Sequence, residues 1–249
     1  MAGKLYVIGV GPGDPELLTL KAVRLLKTVP CIIVPKGKEE GTSLALSIVK
    51  QVVVLDGKEI IEAWFPMKKT KMRIATPDPG PRTLAPDDEL EAKWNETVET
   101  VSVILKRGID AAFITIGDPA IYSTFFYLYD RLLERNPGLA IEIVPGISSI
   151  NAAAARAGLS LGLGNDRIAV LPANYAESLK DTLARFDTVV LMKVHSVLDS
   201  IIKTLEGMGL IDKATYISRA GMEDERIIRD LKQVKKEDLN YFSLVIVRK

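Results

Sequence analysis

Short apolar segments alternate with amphipathic segments along nearly the whole chain. The apolar segments have the length of buried β-strands, and the segments between them have the spacing of helices. This alternation is typical of an α/β protein whose largely parallel strands are covered by helices. The sequence predicts strands at Leu5–Val10, Cys31–Val34, Ile60–Phe65, Ala111–Ile116, Ala140–Val144, Ile168–Leu171, Thr188–Val194, Ala214–Ile217 and Phe242–Val247. It predicts helices at Pro15–Lys27, Ser43–Lys50, Asp88–Arg107, Ile121–Arg135, Ser148–Ala157, Glu177–Arg185 and Ser196–Met208.

The predicted strands divide into two groups. A chain of 249 residues has room for one or two domains. We assign the first four strands to one sheet and the others to a second, with a boundary near Gly117–Pro119. The expected fold is therefore two α/β domains with mixed, largely parallel sheets, at residues 1–118 and 119–249.

The composition excludes several classes of protein. Cys31 is the only cysteine and His195 the only histidine, which excludes zinc sites of the Cys/His type and iron–sulfur clusters. A metal held by carboxylates alone is left open, but we predict none. The net charge is only +1, whereas nucleic-acid-binding proteins usually carry an excess of basic residues. The sequence contains no apolar run long enough for a membrane span, and a single thiol suits a reducing compartment, so we expect a cytoplasmic protein.

A glycine-rich turn, Gly9-Val-Gly-Pro-Gly-Asp-Pro15, follows the first predicted strand. Turns of this kind often cradle phosphates at the start of a helix. Pro12, however, removes a backbone N–H, and Asp14 before Pro15 is expected to cap the helix that follows. The pattern therefore favours a turn that approaches a ligand closely without binding its phosphates, with a purely structural turn as the alternative.

Two further turns follow predicted strands. Gly117-Asp-Pro119 is expected to open the helix at Ile121, and Val144-Pro-Gly-Ile-Ser-Ser149 precedes the next helix. Ligands of open α/β sheets bind at the carboxyl ends of strands, where these turns lie. The hydroxyl groups of Ser148 and Ser149 either cap the helix or hold a ligand.

The segment from Val7 to Ala22 and the turns at Gly117–Pro119 and Val144–Ser149, in this order, resemble the tetrapyrrole methylase family, which uses S-adenosylmethionine. Further similarity is to the branch that methylates C20, a meso carbon, of precorrin-2 or cobalt-precorrin-2 in cobalamin biosynthesis. That similarity lies in Val34-Pro-Lys36, Ser43-Leu-Ala45, Phe65-Pro-Met67 and Gly117-Asp-Pro-Ala-Ile-Tyr-Ser-Thr124. Within the family, a methylase of uroporphyrinogen III is the alternative.

The resemblance implies a two-domain homodimer with the methyl donor in the cleft between the domains. After the donor gives up its methyl group, S-adenosylhomocysteine would be left as the second product. The family's donor contacts fall on Pro12, Ile116, Gly117, Asp118, Ile121, Ser148, Ser149, Met192 and Ala220.

The resemblance also implies a tetrapyrrole substrate that carries many carboxylates. Cations that could pair with them are Lys36 and the cluster Lys68, Lys69, Lys71 and Arg73, although a charged cluster is also typical of a solvated surface. Tyr122 is the candidate for orienting the substrate, and packing of its ring is the alternative. Because the meso carbon attacks the methyl group directly, no metal is required.

Two hypotheses outside the family stay open. A nucleotide-dependent oxidoreductase is disfavoured by Pro12 and by the absence of an acidic residue after the second strand, where the chain reads Pro35-Lys-Gly37. Nothing in the sequence excludes a binding module that has the same fold and no catalytic activity.

Overall fold

The computed structural model describes residues 2–36, 43–64, 88–175 and 179–249, without the side chains of residues 64, 88–90 and 175. The chain forms two compact units. The first runs to Ile147, except that Pro12–Asp14 belong to the second unit together with Ser148–Lys249. Within the described ranges, no helix is long and apolar enough to cross a membrane.

The first unit contains a parallel sheet whose strands are β1 (Leu5–Gly9), β2 (Cys31–Lys36), β3 (Glu59–Trp64), β4 (Ala111–Thr115) and β5 (Ile141–Val144). They lie in the order β3-β2-β4-β1-β5. Its helices are α1 (Leu20–Thr28), α2 (Leu44–Lys50), α3 (Asp88–Lys106) and α4 (Phe126–Arg135).

Both faces of this sheet are buried, which explains why its central strands are apolar throughout. Successive strand residues point to opposite faces. Val7, Ile33 and Phe113 pack in one hydrophobic cluster with residues of α3 and α4. Their neighbours Ile8, Ile32 and Ile114 pack in a second cluster with residues of α1 and α2.

The second unit contains a mixed sheet whose strands are β6 (Ile168–Pro172), β7 (Thr188–Met192), β8 (Ala214–Ser218), β9 (Arg226–Ile228) and β10 (Ser243–Arg248). They lie in the order β6-β7-β10-β8-β9. The helices of this unit are α5 (Ser149–Ala157), α6 (Leu179–Arg185) and α7 (Leu198–Gly207). β6 and β7 are parallel, whereas β10 runs antiparallel to both β7 and β8. The predicted α/β class with mixed, largely parallel sheets is confirmed.

The predicted division of the strands was wrong at one strand. β5 lies in the first sheet, paired in parallel with β1 from Leu5↔Ile141 to Ile8↔Val144. Before β5 pairs with it, the edge of β1 that faces away from β4 has no partner. A helical crossover from β4 can bring a parallel strand to that edge. The boundary near Gly117–Pro119, which gave domains 1–118 and 119–249, is therefore too early, because the two units divide between Ile147 and Ser148.

The first helix begins later than predicted. Pro15–Leu17 form a short 3₁₀ helix, and α1 begins only at Leu20. Thr19 caps α1, because its Oγ1 accepts a hydrogen bond of 3.2 Å from the backbone N–H of Ala22. Asp14, predicted as the cap, therefore does not cap the α-helix.

Cys31 offers a direct test of the buried sheet. Its side chain is fully buried at the start of β2, and this burial raises the pKa of the thiol to about 11. Because the thiolate is the reactive form, a disulfide reagent at pH 8 should not modify the native chain. We expect one equivalent to react once denaturant is added. Rapid stoichiometric reaction without denaturant would contradict the burial of β2.

Candidate functional site

Three glycines bring the carboxyl ends of β1, β4 and β5 into backbone contact. A Cβ atom at Gly9 would lie 2.6 Å from the carbonyl oxygen of Gly117 and 2.7 Å from the nitrogen of Gly146. A Cβ atom at Gly146 would clash with the same carbonyl oxygen and lie 2.9 Å from the Cα of Gly9. The backbones of Gly11 and Gly117 are also joined by two hydrogen bonds, of 2.8 and 3.3 Å. Any side chain at Gly9 or Gly146 would therefore separate the strand ends.

Asp118 joins two of the turns at this edge. Its Oδ1 accepts a hydrogen bond of 2.7 Å from the N–H of Ala120, and its Oδ2 accepts one of 3.0 Å from the N–H of Gly146. The expectation that the helix opens at Ile121 was wrong, since α4 begins at Phe126. The carboxylate instead fixes the turn after β4 to the turn after β5.

Tyr122 was predicted to lie in a helix, but it lies in the irregular segment before α4. Its φ angle of 54° is in the left-handed region, which a bulky residue seldom adopts, and its side chain is 51% exposed. The neighbouring Ile121 is also exposed, whereas Ile116 is partly buried. The first unit thus brings Ile116, Gly117, Asp118, Ile121 and Tyr122 together at the carboxyl end of β4.

Ser148 caps α5. Its Oγ accepts a hydrogen bond of 3.3 Å from the N–H of Asn151 and lies 2.6 Å from the Oδ1 of the same residue. The capping interpretation is therefore confirmed for Ser148, and Ser149 is the first residue of the helix.

Met192 and Ala220 lie at one edge of the second sheet. Met192 ends β7, and Ala220 follows β8 after Arg219. Because β7 and β8 both run antiparallel to β10, their carboxyl ends point the same way. Gly221 then packs against the glycine-rich turn, since a Cβ atom there would lie 3.4 Å from the Cγ of Pro12. The second unit thus brings Pro12 close to the turn that carries Ala220.

The sequence model of the family described as Tetrapyrrole (Corrin/Porphyrin) Methylases matches residues 4–234. The chain belongs to the tetrapyrrole methylase family. Curated proteins are similar to this methylase over almost its entire length. A probable cobalt-precorrin-2 C(20)-methyltransferase of Methanocaldococcus jannaschii is 38% identical over 99% of this chain and 96% of that protein. A cobalt-precorrin-2 C(20)-methyltransferase of Salmonella typhimurium is 34% identical over 100% and 98%, respectively.

Solved structures share the fold of this methylase. A cobalt precorrin-4 methyltransferase superposes with a TM-score of 0.73 at 21% identity, covering 98% of this chain and 94% of that one. A uroporphyrin-III C-methyl transferase from Thermus thermophilus, complexed with S-adenyl homocysteine, superposes with a TM-score of 0.65 at 22% identity, covering 99% and 92%. The resemblance to tetrapyrrole methylases drawn from the sequence motifs is confirmed.

The cations assigned to the substrate are only partly described. In this methylase Lys36, at the end of β2, pairs with Glu62 of β3 through an Nζ–Oε2 distance of 2.9 Å. The side chain of Lys36 is only 15% exposed, so a substrate carboxylate would have to compete with Glu62 for it. Lys68, Arg73 and the other basic residues of their cluster lie outside the described residues.

Two functional candidates of this methylase were missed from the sequence. Gly146 was noted only as part of a motif, although it packs against Gly9 and is held by Asp118. Glu225 follows Glu223 and Asp224 in an acidic run, and such a run is typical of a solvated loop. In the structure the side chain of Glu225 is only 10% exposed and accepts a hydrogen bond from the N–H of Gly221.

Proposed function

We propose that this chain transfers the methyl group of S-adenosylmethionine to C20 of precorrin-2 or cobalt-precorrin-2 in cobalamin biosynthesis. The observation that carries the proposal is the full-length similarity to proteins named for that reaction. A third such relative, a precorrin-2 C(20)-methyltransferase of Sinorhizobium sp, is 32% identical over 98% of this chain and 95% of that protein. Methylation of uroporphyrinogen III is the alternative within the family.

The residues at the strand ends fit S-adenosylmethionine better than a nucleotide. The donor carries no phosphate, and when bound it supplies a methyl group on a positively charged sulfur. Pro12 offers no N–H to a phosphate, while Asp118 places a carboxylate in the turn after β4, where it accepts a hydrogen bond from the N–H of Gly146. The close packing of Gly9, Gly117 and Gly146 leaves backbone instead of side chains at this edge, and backbone can approach a ligand closely.

The chain's own contribution to catalysis is placement. We assign donor binding to Pro12, Ile116, Gly117, Asp118, Ile121, Ser148, Ser149, Met192 and Ala220. For Ser148 this role is additional to its cap of α5. Holding the two reactants in a near-attack geometry is worth up to about 7–11 kcal/mol of the barrier. Asp118 holds both turns of the first unit in place, and Tyr122 is the candidate for orienting the macrocycle.

Pairing with substrate carboxylates is assigned to Lys36, Lys68 and Arg73. Lysine and arginine both form charge-assisted hydrogen bonds with carboxylates, and arginine can do so with two parallel bonds. For Lys36 this requires a change of partner, because Glu62 holds its ammonium group.

We also infer a homodimer in the cytoplasm. The family resemblance supports the dimer, and the single cysteine of the chain suits a reducing compartment. Light scattering during size-exclusion chromatography measures the mass directly, and a monomer mass near 27.3 kDa would contradict the dimer.

Ligand-dependent melting separates a methyltransferase from an oxidoreductase. A ligand that binds only the native state at 100 times its Kd stabilises it by about 2.7 kcal/mol. For a chain of this size we therefore expect S-adenosylhomocysteine to raise Tm by roughly 5–10 °C and NAD to leave it unchanged. A shift with NAD and none with S-adenosylhomocysteine would contradict the proposed function.

The product identifies the substrate. We expect donor labelled in its methyl group to transfer the label to C20 of precorrin-2 or of its cobalt form, as located by NMR. Uroporphyrinogen III serves as the comparison, and its methylation in place of both precorrins would select the alternative.

A further inference from the structure

The turn that carries Ala220 has an unusual backbone. Arg219 has a φ of 52° and Gly221 a φ of 77°, so left-handed residues lie on both sides of Ala220, which is 6% exposed. A non-glycine residue keeps such a conformation only where its surroundings hold it. Two backbone hydrogen bonds do so here: Arg219 donates to the carbonyl of Phe242 at 2.7 Å, and Met222 donates to the carbonyl of Arg219 at 2.9 Å.

A mostly covered carboxylate, that of Glu225, holds the other side of this turn. The Oε2 of Glu225 accepts a hydrogen bond of 2.7 Å from the N–H of Gly221. The Nε of Arg156, from α5, lies 2.8 Å from Oε1 and 3.1 Å from Oε2. Arg156 thereby compensates the negative charge of a side chain that is 10% exposed, while the arginine itself is 62% exposed.

The position of Gly221 in turn sets the neighbours of Pro12. A Cβ atom at Gly221 would lie 3.4 Å from both the nitrogen of Asp14 and the Cγ of Pro12. A Cβ atom at Gly13 would lie 2.5 Å from the Cγ of Met222 and 2.9 Å from the carbonyl oxygen of Gly221. The two turns are thus in close backbone contact, and movement of Gly221 would displace Pro12.

We propose that Glu225 is a positioning residue for the methyl donor: its hydrogen bond to Gly221 fixes the turn that carries Ala220 and, through it, Pro12. This inference rests on the proposed function, because it takes Ala220 and Pro12 as donor contacts. It assigns Glu225 no contact with the donor, the substrate or the reacting atoms. Its loss should therefore weaken donor binding and leave binding of the tetrapyrrole almost unchanged.

Three variants test this role: Glu225→Ala, Glu225→Gln and, as the matched control, Glu223→Ala at an exposed acid of the same loop. Calorimetry measures the Kd for S-adenosylhomocysteine, and steady-state kinetics measure KM for each substrate. We expect Glu225→Ala to weaken the affinity about tenfold, which equals about 1.4 kcal/mol. The KM for the tetrapyrrole should change by less than about twofold, because only donor binding is affected.

The glutamine variant separates positioning from general structural damage. Its side-chain oxygen can still accept the hydrogen bond from Gly221, so we expect it to restore most of the affinity lost in Glu225→Ala. If Glu225→Ala does not fold, a glutamine variant with near-parental affinity still supports the role, and one that folds but has lost about tenfold in affinity overturns it.

Two results with Glu225→Ala overturn this proposal and leave the proposed function standing. One is an affinity of Glu225→Ala for S-adenosylhomocysteine equal to that of the parent chain. The other is an equal rise of the KM values for both substrates. A parent chain that does not bind S-adenosylhomocysteine overturns the proposed function together with this inference.

Discussion

Replacing Gly146 with alanine is expected to lower Tm by roughly 2–12 °C and methyl transfer by about 100-fold. The added Cβ atom would clash with the carbonyl oxygen of Gly117 and lie 2.8 Å from the carbonyl carbon of Gly9. Both neighbours are backbone, which cannot turn away as a side chain would. Overpacking of this kind costs about 1–3 kcal/mol, and separation of the strand ends would also displace Asp118. Thermal melting and a methyl-transfer assay measure the two effects.

Gly138→Ala is the matched control for this prediction. Gly138 lies in the same unit, between α4 and β5, and a Cβ atom there would meet nothing within 4 Å. We expect its Tm and activity to stay close to those of the parent. A Gly146→Ala variant that behaves like Gly138→Ala would show that the glycine contact at the strand ends is not needed.

Removal of the Asp118 carboxylate is expected to weaken binding of S-adenosylhomocysteine about tenfold and to lower methyl transfer about 100-fold. Alanine leaves the N–H groups of Ala120 and Gly146 without their acceptor, which costs about 2 kcal/mol of stability. The turn after β5 is then no longer tied to the turn after β4. Asp130→Ala, at an exposed acid on α4, is the control and should behave like the parent.

Asp118→Asn distinguishes the charge of this residue from its hydrogen bonds. Asparagine keeps one acceptor oxygen but loses the negative charge. If that charge favours the cationic sulfur of the donor, the variant should lose more affinity for S-adenosylmethionine than for S-adenosylhomocysteine, whose sulfur is neutral. Equal losses for both ligands would leave Asp118 with a purely positioning role, and unchanged affinities would remove it from the donor site.

Much of the fold could be predicted because the central strands are buried on both faces and therefore read as continuous apolar runs. β9 could not, since Arg226–Ile228 is a short edge strand without alternation. The sheet membership of β5 depends on its pairing with β1, a contact between distant parts of the chain. The local sequence of β5 does not indicate which strand it pairs with.

The helix starts show the same limit. Asp14-Pro15 and Asp118-Pro119 both have the local pattern of a helix cap, yet the α-helices begin at Leu20 and Phe126. The carboxylate of Asp118 binds Gly146 instead, which lies 28 residues further along the chain. At Asp118, a hydrogen bond between distant parts of the chain therefore takes the place of the helix cap that the local pattern predicts.

The sequence predicts which turns belong to the candidate site, but it does not predict how these turns contact one another. The motifs pointed to Gly117, Asp118 and Ser148, and the structure places them at strand ends or a helix cap. The close approach of Gly9 and Gly146 depends on the parallel register of β1 and β5. The sequence does not single out Glu225, because it stands in an acidic run, and its hydrogen bond to Gly221 and its ion pair with Arg156 are seen only in the structure.

Pro12–Asp14 and Gly221–Met222 lie near opposite ends of the chain, although they pack in one unit. During synthesis the first of these segments emerges from the ribosome long before the second, and contacts of such large sequence separation form slowly. The sheet of the first unit needs only residues up to Val144 and can form earlier. Nascent chains that end before Gly221 should therefore contain a folded first sheet while Pro12 still lacks its neighbours, so this contact is among the last to form.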